Sequence, residues 1–366
     1  MANQRRGGRS ALWLVVAVLI AAAVVAAVVT RQRGERPAEN DGTAPEDAAQ
    51  VTLLGAGATF PQPLYEKWFA EYNTHNPSVK INYQGIGSGG GIRAISERNV
   101  DFGASDAPLT DQQLNAAPAE LLHIPTGAGA VAVVYNLPGS ERLRLTPDVL
   151  ADIFLGKITR WNDSRITAAN TDVQLPDLPV AVIHRSDGSG TTNIFTSYLA
   201  AISSEWKEKV GAGTSVTWPV EAAAGKGNPG VAGYVRQTQG AIGYVELAYA
   251  LQNDLTYALI QNQAGNFIEP SVESTRAALA GFADQMPADF RMMTVNSAAS
   301  DAYPIAGLTW LLVYKQQQNA TKGKALVDVL QWVLKNGDQT AESLDYVPLP
   351  DNLEAKVLES VRSIEY

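Results

Sequence analysis

The sequence of 366 residues contains no cysteine. This absence excludes disulfides, a thiolate nucleophile, a cysteine-based metal site and lipid attachment to a cysteine near the N-terminus. Histidine is nearly as scarce, since His75, His123 and His184 are the three in the chain, and their spacing fits no metal-ligand pattern. We therefore expect a protein without a metal ion or cofactor.

Positive charge is also in short supply. Lys and Arg total 28 against 37 Asp and Glu, which leaves a formal net charge of −9. An acidic chain is a poor match for nucleic acid, so we expect no nucleic-acid partner. Any anion that this protein binds must be held by local geometry, because the overall field repels it.

Charged residues are missing altogether from Ala11–Thr30. As a helix this segment is about 30 Å long, which is enough to cross a bilayer. Arg5, Arg6 and Arg9 precede it and favour an N-terminus in the cytoplasm. A cleaved secretory signal peptide is the alternative. We predict that residues 1–30 are a membrane anchor or signal segment, with the anchor favoured, and that the bulk of the chain lies outside the cytoplasm.

Composition divides the remainder of the chain in two. Residues 31–50 are polar and include Pro37, Pro45, Gly34 and Gly42, which is typical of a flexible linker. The stretch from residue 51 to 366 is longer than one compact core usually holds. We therefore expect two domains after the linker.

The most informative stretch is His184–Thr191, with the sequence His-Arg-Ser-Asp-Gly-Ser-Gly-Thr. It follows the apolar run Val180–Ile183, which predicts a buried strand, and precedes a pattern with helical periodicity. Free backbone N–H groups at a helix start, together with small hydroxyls, favour anion binding. Arg185 adds a fixed positive charge with donors suited to oxyanions.

Two further turns repeat this arrangement of strand, small residues and helix. Gly55–Pro61 follows the apolar run Val51–Leu54, and Gly85–Gly91 follows an alternating strand pattern that begins at Val79. Open α/β sheets bind ligands at such turns, beyond the C-terminal ends of their strands. The sequence therefore predicts that these distant turns converge on one site.

Periodicity and turn residues also predict the other main elements. Strands are expected at Ile124–Tyr135, Ala241–Glu246 and Ile305–Tyr314. Helices are expected at Thr146–Phe154 and Lys324–Leu334. The glycine-rich stretch Gly211–Gly230 is expected to be a surface loop.

Six segments carry a resemblance to a known family, and they are Gly55–Pro61, Tyr83–Ser88, Val100–Asp106, Gly156–Asp163, His184–Thr191 and Ala241–Glu246. In these segments, and in their order, the chain resembles the PstS-type phosphate-binding proteins of the ABC phosphate-uptake system. The resemblance runs from about Val51 to the C-terminus. It implies an α/β fold of the two-lobed periplasmic-binding-protein kind, with mixed sheets flanked by helices and two hinge crossings.

The resemblance also implies how the chain divides between the lobes. With crossings near Val133 and Ile305, lobe I comprises residues 51–133 plus 305–366, and lobe II comprises residues 134–304. Phosphate would sit between the lobes, wholly desolvated. The phosphate-binding residues implied by motif match are Ala58, Thr59, Phe60, Ser88, Asp106, Arg185, Ser189, Gly190 and Thr191.

Asp106 matches the carboxylate that accepts a hydrogen bond from the proton of phosphate. Phosphate near neutral pH carries at least one proton and sulfate carries none, so a buried acceptor can separate the two. A site built to bond a hydroxyl rejects an analogue that lacks it by about 10⁴–10⁵-fold. Taken alone, Asp106 is more typical of a cap or turn and Arg185 of a surface or interdomain salt bridge, and Gly85–Gly91 is equally typical of a tight turn that needs positive φ. The joint occurrence of these turns is what favours a binding site.

The resemblance implies an extracytoplasmic protein that delivers inorganic phosphate to the membrane permease of an ABC importer, and we expect a monomer. The apolar segment at residues 11–30 departs from the secreted or lipid-anchored form that is familiar in this family, and it predicts a tether by an N-terminal helix. An enzyme is the main alternative, namely a secreted phosphate-ester hydrolase with Ser88 or Ser189 as nucleophile. Neither serine lies in a G-x-S-x-G elbow, and no base is visible beside either in the sequence. A tethered sensor or adhesin on the same fold is the third reading.

Overall fold

The computed structural model describes residues 50–139 and 142–366. The described residues fold as one compact unit. The strands are β1 Val51–Gly57, β2 Val79–Gly85, β3 Phe102–Ser105, β4 Leu121–Tyr135, β5 Arg144–Leu145, β6 Ala181–Arg185, β7 Ala223–Gly225, β8 Ala241–Glu246, β9 Thr256–Tyr257, β10 Leu259–Gln261, β11 Phe267–Ile268 and β12 Ala306–Tyr314.

The α-helices alternate with these strands along much of the chain. They are α1 Gln62–His75, α2 Ser88–Ser96, α3 Asp111–Ala116, α4 Pro147–Phe154, α5 Ser164–Thr167, α6 Gly190–Ile202, α7 Ser204–Lys209, α8 Gly227–Gln237, α9 Leu247–Gln252, α10 Val272–Ala280, α11 Ala320–Asn336, α12 Asp338–Ser343 and α13 Asp351–Arg362. A 3₁₀ turn lies at Ala283–Gln285.

The described residues form a nine-stranded mixed sheet with the order β2-β1-β3-β12-β4-β8-β6-β7, in which β9 also pairs with β4. At one end β1 runs parallel to β2 and β3, and at the other β6 runs parallel to β7 and β8. A smaller sheet has the order β11-β10-β5. The predicted α/β class, with mixed sheets flanked by helices, is confirmed.

Strand β4 connects the two parallel groups of strands. Its residues Leu121–Ala130 pair antiparallel with β12, and Val131–Tyr135 pair antiparallel with β8. Close to this change of partner, the Val131 N–H donates to the Ile305 carbonyl, 2.8 Å away. Strands β4 and β12 therefore lie at the centre of the sheet, where β12 is buried at every residue.

Helix α1 buries one apolar face against the rest of the fold. In α1 the buried residues are Leu64, Tyr65, Trp68, Phe69 and Tyr72, which recur at the spacing of one helix face. Tyr65, Phe69 and Tyr83 of β2 form an aromatic cluster whose ring centroids lie 5.4–6.2 Å apart. This packing fixes the start of α1, and with it the turn that leads from β1 into the helix.

Most of the predicted elements are confirmed to within a few residues, with two differences. Ser88 already begins α2, so part of the predicted turn Gly85–Gly91 is the first turn of a helix. The predicted surface loop Gly211–Gly230 is wrong at its C-terminal end, because β7 lies within it and α8 begins at Gly227. Asn228 there is fully buried, since it bonds to neighbouring elements rather than to water.

The predicted anchor or signal segment at residues 1–30 and most of the predicted linker at residues 31–50 lie outside the described residues. Within the part of the chain that the structure describes, no helix combines the length and the apolar composition needed to span a bilayer.

Candidate functional site

The predicted site residues come from four places in the fold that meet on one side of the sheet. Thr59 and Phe60 lie in the turn between β1 and α1, and Ser88 opens α2. Asp106 directly follows β3, and residues 185–191 run from the end of β6 into α6. Because β1, β2 and β3 are parallel, their carboxyl ends lie at the same edge of the sheet. The predicted site residues with side chains are all buried, and they are Ala58, Thr59, Phe60, Ser88, Asp106, Arg185, Ser189 and Thr191.

Direct contacts join the residues that follow β2 and β3 to those that follow β6. The hydroxyl of Ser88 accepts the N–H groups of Gly190 at 3.0 Å and of Asp106 at 3.2 Å. The N–H of Gly89 donates to the carbonyl of Gly188 at 2.9 Å. Residues that are about one hundred positions apart in sequence therefore share a single hydrogen-bonded cluster, which we call the cage.

Several backbone N–H groups in the cage have no acceptor. Within residues 50–139 and 142–366, the N–H groups of Thr59, Phe60, Ser88 and Thr191 donate to no protein atom. Ser88 and Thr191 lie in the first turns of α2 and α6, where N–H groups are free and the helix dipole is positive. Buried N–H groups are nearly always paired, so four unpaired ones in one place indicate a site for an anion.

Ala58 differs from the other predicted ligands. Its N–H already donates to the carbonyl of Ala104 at 3.0 Å, and its own carbonyl accepts the hydroxyl of Tyr83 at 2.6 Å. The structure therefore places Ala58 beside the cage but leaves it no free N–H. Its part is to hold the turn that presents Thr59 and Phe60.

Arg185 is the buried cation of the cage, and its side chain is 1% exposed. Its Nε and Nη2 donate to the two carboxylate oxygens of Asp187 at 2.9 and 2.6 Å, and its Nη1 donates to the hydroxyl of Thr191 at 3.3 Å. Burial raises the pKa of Asp187, but the Arg185 guanidinium and the Gly227 N–H outweigh burial and leave that pKa below its usual value. The guanidinium is thus fixed in orientation before any ligand contacts it.

Asp106 is a buried carboxylate of the cage, in contact with Ser88. Its Oδ1 accepts the hydroxyl of Thr309 at 2.8 Å, and its Oδ2 accepts that of Ser88 at 3.4 Å. Burial raises the pKa of Asp106 to about 7, although the hydrogen bonds from Thr309 and Ser88 and the charge of Arg185 each lower it. A carboxyl with this pKa can take or release a proton near neutrality.

Sequence reasoning missed three residues of the cage, and they are Asp187, Asn228 and Thr309. Asp187 lies inside the motif that was singled out. Thr309 is the one aliphatic hydroxyl in the otherwise apolar strand β12, and this was an available signal. It lies at a bulge in the pairing of β12 with β4, and bulges often aim a side chain at a site. Asn228 gave no signal, because the stretch before it is rich in glycine.

Two residues of the stretch His184–Thr191 have local structural roles. The ring of His184 stacks on Trp218, with ring centroids 4.9 Å apart, so it is a packing residue at a strand end. Ser189 is the N-cap of α6, and its hydroxyl accepts the N–H of Thr192 at 3.0 Å. The cap leaves the Ser189 hydroxyl proton available to a ligand.

Buried acids make the stability of the folded protein depend on pH. The pKa of Asp106 is about 7 in the folded chain against 3.8 for an ordinary aspartate. Its contribution to stability is therefore complete below about pH 4 and is lost as the pH rises through about 7. We expect the free energy of unfolding of the ligand-free protein to fall by about 2–3 kcal/mol between roughly pH 5 and pH 8 because of Asp106. Denaturant unfolding at the two pH values measures this fall.

Asp106→Asn is the variant that isolates this effect. Glu246 is fully buried too, and burial raises its pKa well above the usual value, so it shifts stability in the same direction. The variant keeps the Glu246 contribution, and its loss of stability over the same pH range should be smaller than that of the wild type. Equal losses in the two proteins would show that Asp106 ionises as easily in the folded chain as in the unfolded one.

Gly190 is a position where the cage tolerates no side chain. A Cβ there would lie 2.6 Å from the Cβ and Oδ2 of Asp106 and from the hydroxyl of Ser88. We expect Gly190→Ala to weaken anion binding by about 5–150-fold, since overpacking of a tight contact costs about 1–3 kcal/mol. Gly233→Ala in α8 is the matched control, because a Cβ there meets nothing within 4 Å. Equal affinities for the two variants, measured by calorimetry, would contradict this tight packing.

Comparison with a family model and with solved structures defines the class of protein to which this chain belongs. A family model described as "PBP superfamily domain" matches residues 42–336. A phosphate-bound structure of a high-affinity periplasmic phosphate-binding protein (PfluDING) superimposes with a TM-score of 0.68 at 25% identity, over 84% of this chain and 93% of that one. A phosphate-binding protein from Stenotrophomonas maltophilia has a TM-score of 0.66 at 22% identity, over 84% and 93%, and supports the fold. The class is that of the periplasmic binding proteins.

Sequence identity to curated relatives identifies the family within this class. The chain is 46% identical, over 90% of its length and 90% of the relative's, to the phosphate-binding protein PstS of Xylella fastidiosa strain 9a5c. It is 39% identical, over 87% and 88%, to the protein of the same name from Methanocaldococcus jannaschii. The chain belongs to the family of PstS phosphate-binding proteins.

Proposed function

We propose that this protein captures inorganic phosphate in the cage and delivers it to an ABC-type phosphate importer. The observation that carries the proposal is the meeting of four unpaired backbone N–H groups, a buried guanidinium and one raised-pKa carboxyl in a single buried cluster. The N–H groups and Arg185 fit the unprotonated oxygens of an oxyanion. Asp106 fits an oxygen that carries a proton. The names of the curated relatives agree with this reading.

The chemistry distinguishes phosphate from sulfate. Ionised Asp106 accepts a hydrogen bond from the P–OH of phosphate, whereas sulfate would present a lone pair and a like charge to it. In a buried site such a mismatch is not relieved by water. We propose Thr59, Phe60, Ser88, Asp106, Arg185, Ser189 and Thr191 as the phosphate-binding set. Ala58 and Gly190 are left out of it because their N–H groups are already engaged, by the Ala104 carbonyl and the Ser88 hydroxyl.

The capture step involves two lobes. We propose lobe I as residues 51–133 plus 305–366 and lobe II as residues 134–304. The change of partner along β4 between Ala130 and Val131 supports the first crossing, and the bond between Val131 and Ile305 supports the second. Under this division each lobe supplies half of the cage, so that phosphate binding favours closure.

Location and partner follow from the proposed role. We propose that the folded unit works on the outer face of the cytoplasmic membrane, tethered by residues 1–30, and that its partner is the permease of the importer. Mass spectrometry of the mature N-terminus would distinguish an anchor from a cleaved signal. Stimulation of phosphate transport by the permease in vesicles would separate delivery from a sensor or adhesin role.

Calorimetric titration of the full-length chain with inorganic phosphate tests the proposal. We expect binding of one phosphate per chain, no competition from excess sulfate, and a smaller radius of gyration with phosphate in small-angle scattering. An absence of phosphate binding, or equal competition by sulfate, would overturn the proposal.

The hydrolase alternative has one structural point in its favour. Asp106 Oδ2 lies 3.4 Å from the hydroxyl of Ser88, where the sequence had shown no base. That hydroxyl already accepts two backbone N–H groups, however, and it is fully buried. Incubation with a chromogenic phosphate ester decides between the readings, and we expect phosphate binding without turnover of the ester.

A further inference from the structure

Asn228, in the first turn of helix α8, contacts two of the residues proposed to bind phosphate. It is fully buried. Both its backbone N–H and its side-chain Nδ2 donate to the hydroxyl of Thr59, at 3.1 and 3.0 Å. Nδ2 also lies 3.2 Å from the hydroxyl of Thr191, and Oδ1 accepts the N–H of Glu246 at 3.0 Å. One side chain thus joins Thr59 on one side of the cage to Thr191 on the other.

The contact with Glu246 fixes which way the amide faces. A backbone N–H can only donate, so the atom that faces the Glu246 N–H must be the amide oxygen. The amide NH₂ therefore points at the two threonine hydroxyls and can only donate to them. The opposite orientation would place NH₂ against N–H.

This orientation determines what the threonine hydroxyls can do. A hydroxyl has one proton to donate and two lone pairs with which to accept. The two donors of Asn228 fill both lone pairs of Thr59. The lone pairs of Thr191 are filled by Asn228 Nδ2 and by Arg185 Nη1. Each threonine is left with its proton as the one group that it can offer to a ligand.

The Ser88 hydroxyl is restricted in the same way, but by backbone N–H groups. It accepts the N–H groups of Asp106 and Gly190, so it too can only donate, and in the structure its proton faces Asp106 Oδ2 at 3.4 Å. Ser189 differs, because its hydroxyl accepts one N–H and keeps a lone pair. Three of the four aliphatic hydroxyls in the proposed binding set are therefore fixed as donors, two of them by Asn228.

We propose, on the basis of the phosphate-binding function above, that Asn228 is a specificity-determining positioning residue that fixes Thr59 and Thr191 as hydrogen-bond donors. It thereby leaves Asp106 as the main acceptor for a proton on the ligand. The cage then takes a tetrahedral oxyanion when ligand and Asp106 share a single proton. An additional proton would meet a donor and be rejected, so Asn228 sets the protonation state that the cage accepts.

The variants Asn228→Asp and Asn228→Ala test this role, in calorimetric titrations with inorganic phosphate at about pH 8 and about pH 5.5. The carboxylate of Asn228→Asp is nearly isosteric but accepts, so it draws the threonine protons away from phosphate. We expect its affinity to fall by about 100-fold or more at the higher pH, since one or two charge-assisted bonds are lost. Asn228→Ala keeps the backbone N–H but removes the amide, so it frees one lone pair on each threonine to accept, and we expect a roughly 10–100-fold loss at pH 8.

The pH profile is the readout that a purely structural role would not move. In the wild type, the affinity should fall between pH 8 and pH 5.5 as an additional proton enters the pair of Asp106 and phosphate. In Asn228→Ala this fall should be shallower, because rotated threonine hydroxyls accept that proton. An unchanged slope would overturn the proposal, whatever the loss of affinity at one pH.

Asn170→Ala is the matched control. Asn170 is 1% exposed, and its side chain bonds to Arg144 and Ile166, which belong to no part of the cage. This variant should lose stability but keep the wild-type affinity and pH slope. If Asn228→Ala does not fold, the isosteric Asn228→Asp carries the test through its affinity at pH 8, where wild-type affinity would refute the proposal.

A double-mutant comparison separates the action of Asn228 from that of its partners. In the background Thr59→Ala with Thr191→Ala, adding Asn228→Ala should weaken phosphate binding by less than about threefold, because there is no hydroxyl left to orient. Full additivity would assign Asn228 to packing alone. Absence of phosphate binding by the wild type would instead reject the proposed function, so the two failures are distinguishable.

Discussion

We expect the Asp106→Asn variant to lose most of the preference for phosphate over sulfate, by about 10⁴-fold. The side chain of Asp106 is buried and accepts hydrogen bonds from Thr309 and Ser88, so its shape and place are fixed. An asparagine of the same shape can donate through its NH₂ where the carboxylate could only accept. Sulfate would then find a donor in place of a negative charge. Competition calorimetry with the two anions at about pH 8 measures the ratio.

Asp101→Asn is a suitable control for this measurement. Asp101 precedes β3 as Asp106 follows it, and it pairs with Lys322 near the surface. The control should keep the wild-type ratio of affinities. A ratio in Asp106→Asn that stayed within tenfold of the wild type would mean that the cage excludes sulfate by some means other than a buried acceptor.

The second large effect is expected at Arg185. Removal of one member of a buried, hydrogen-bonded charge pair costs about 2–5 kcal/mol, so Arg185→Ala should weaken phosphate binding by about 30–5,000-fold. Two causes contribute. The anion loses its charged donor, and Asp187 loses the partner that offset its charge. The variant Arg185→Ala with Asp187→Ala removes the second cause and should recover part of the affinity.

Arg165→Ala gives the comparison for a charge pair outside the cage. Arg165 bonds to the carboxylates of Asp152 and Asp163, and its side chain is 43% exposed, against 1% for Arg185. We expect its affinity for phosphate to equal that of the wild type. A dissociation constant that is unchanged in Arg185→Ala would reduce the guanidinium to a salt bridge within lobe II without contact to the anion.

Local sequence signals predict much of the fold because they are themselves local. The apolar spacing in α1 and the Thr146 cap of α4 depend on neighbouring residues, and both elements lie where the sequence places them. The turn at residues 184–191 likewise carries its own anion-binding chemistry. Features that depend only on neighbouring residues can therefore be predicted from the local sequence.

Residues that act through long-range contacts are hidden for the same reason. Asn228 contacts Thr59, which is 169 positions away, and Thr309 contacts Asp106 across 203 positions. Nothing in the glycine-rich stretch before Asn228 marks it as buried. The N–H of Ala58 matches the motif, but its bond to Ala104 depends on the pairing of β1 with β3. These contacts depend on the topology of the fold, and no single sequence motif specifies that topology.

The pairing of Arg185 with Asp187 has a kinetic consequence. The guanidinium charge is offset within the cage, and the chain as a whole carries −9, so little net attraction draws an anion in from solution. Added salt screens repulsion between exposed charges and leaves buried bonds almost untouched. Phosphate should therefore associate faster as ionic strength rises, while its dissociation rate stays constant, which is the reverse of a binding protein that steers its ligand electrostatically.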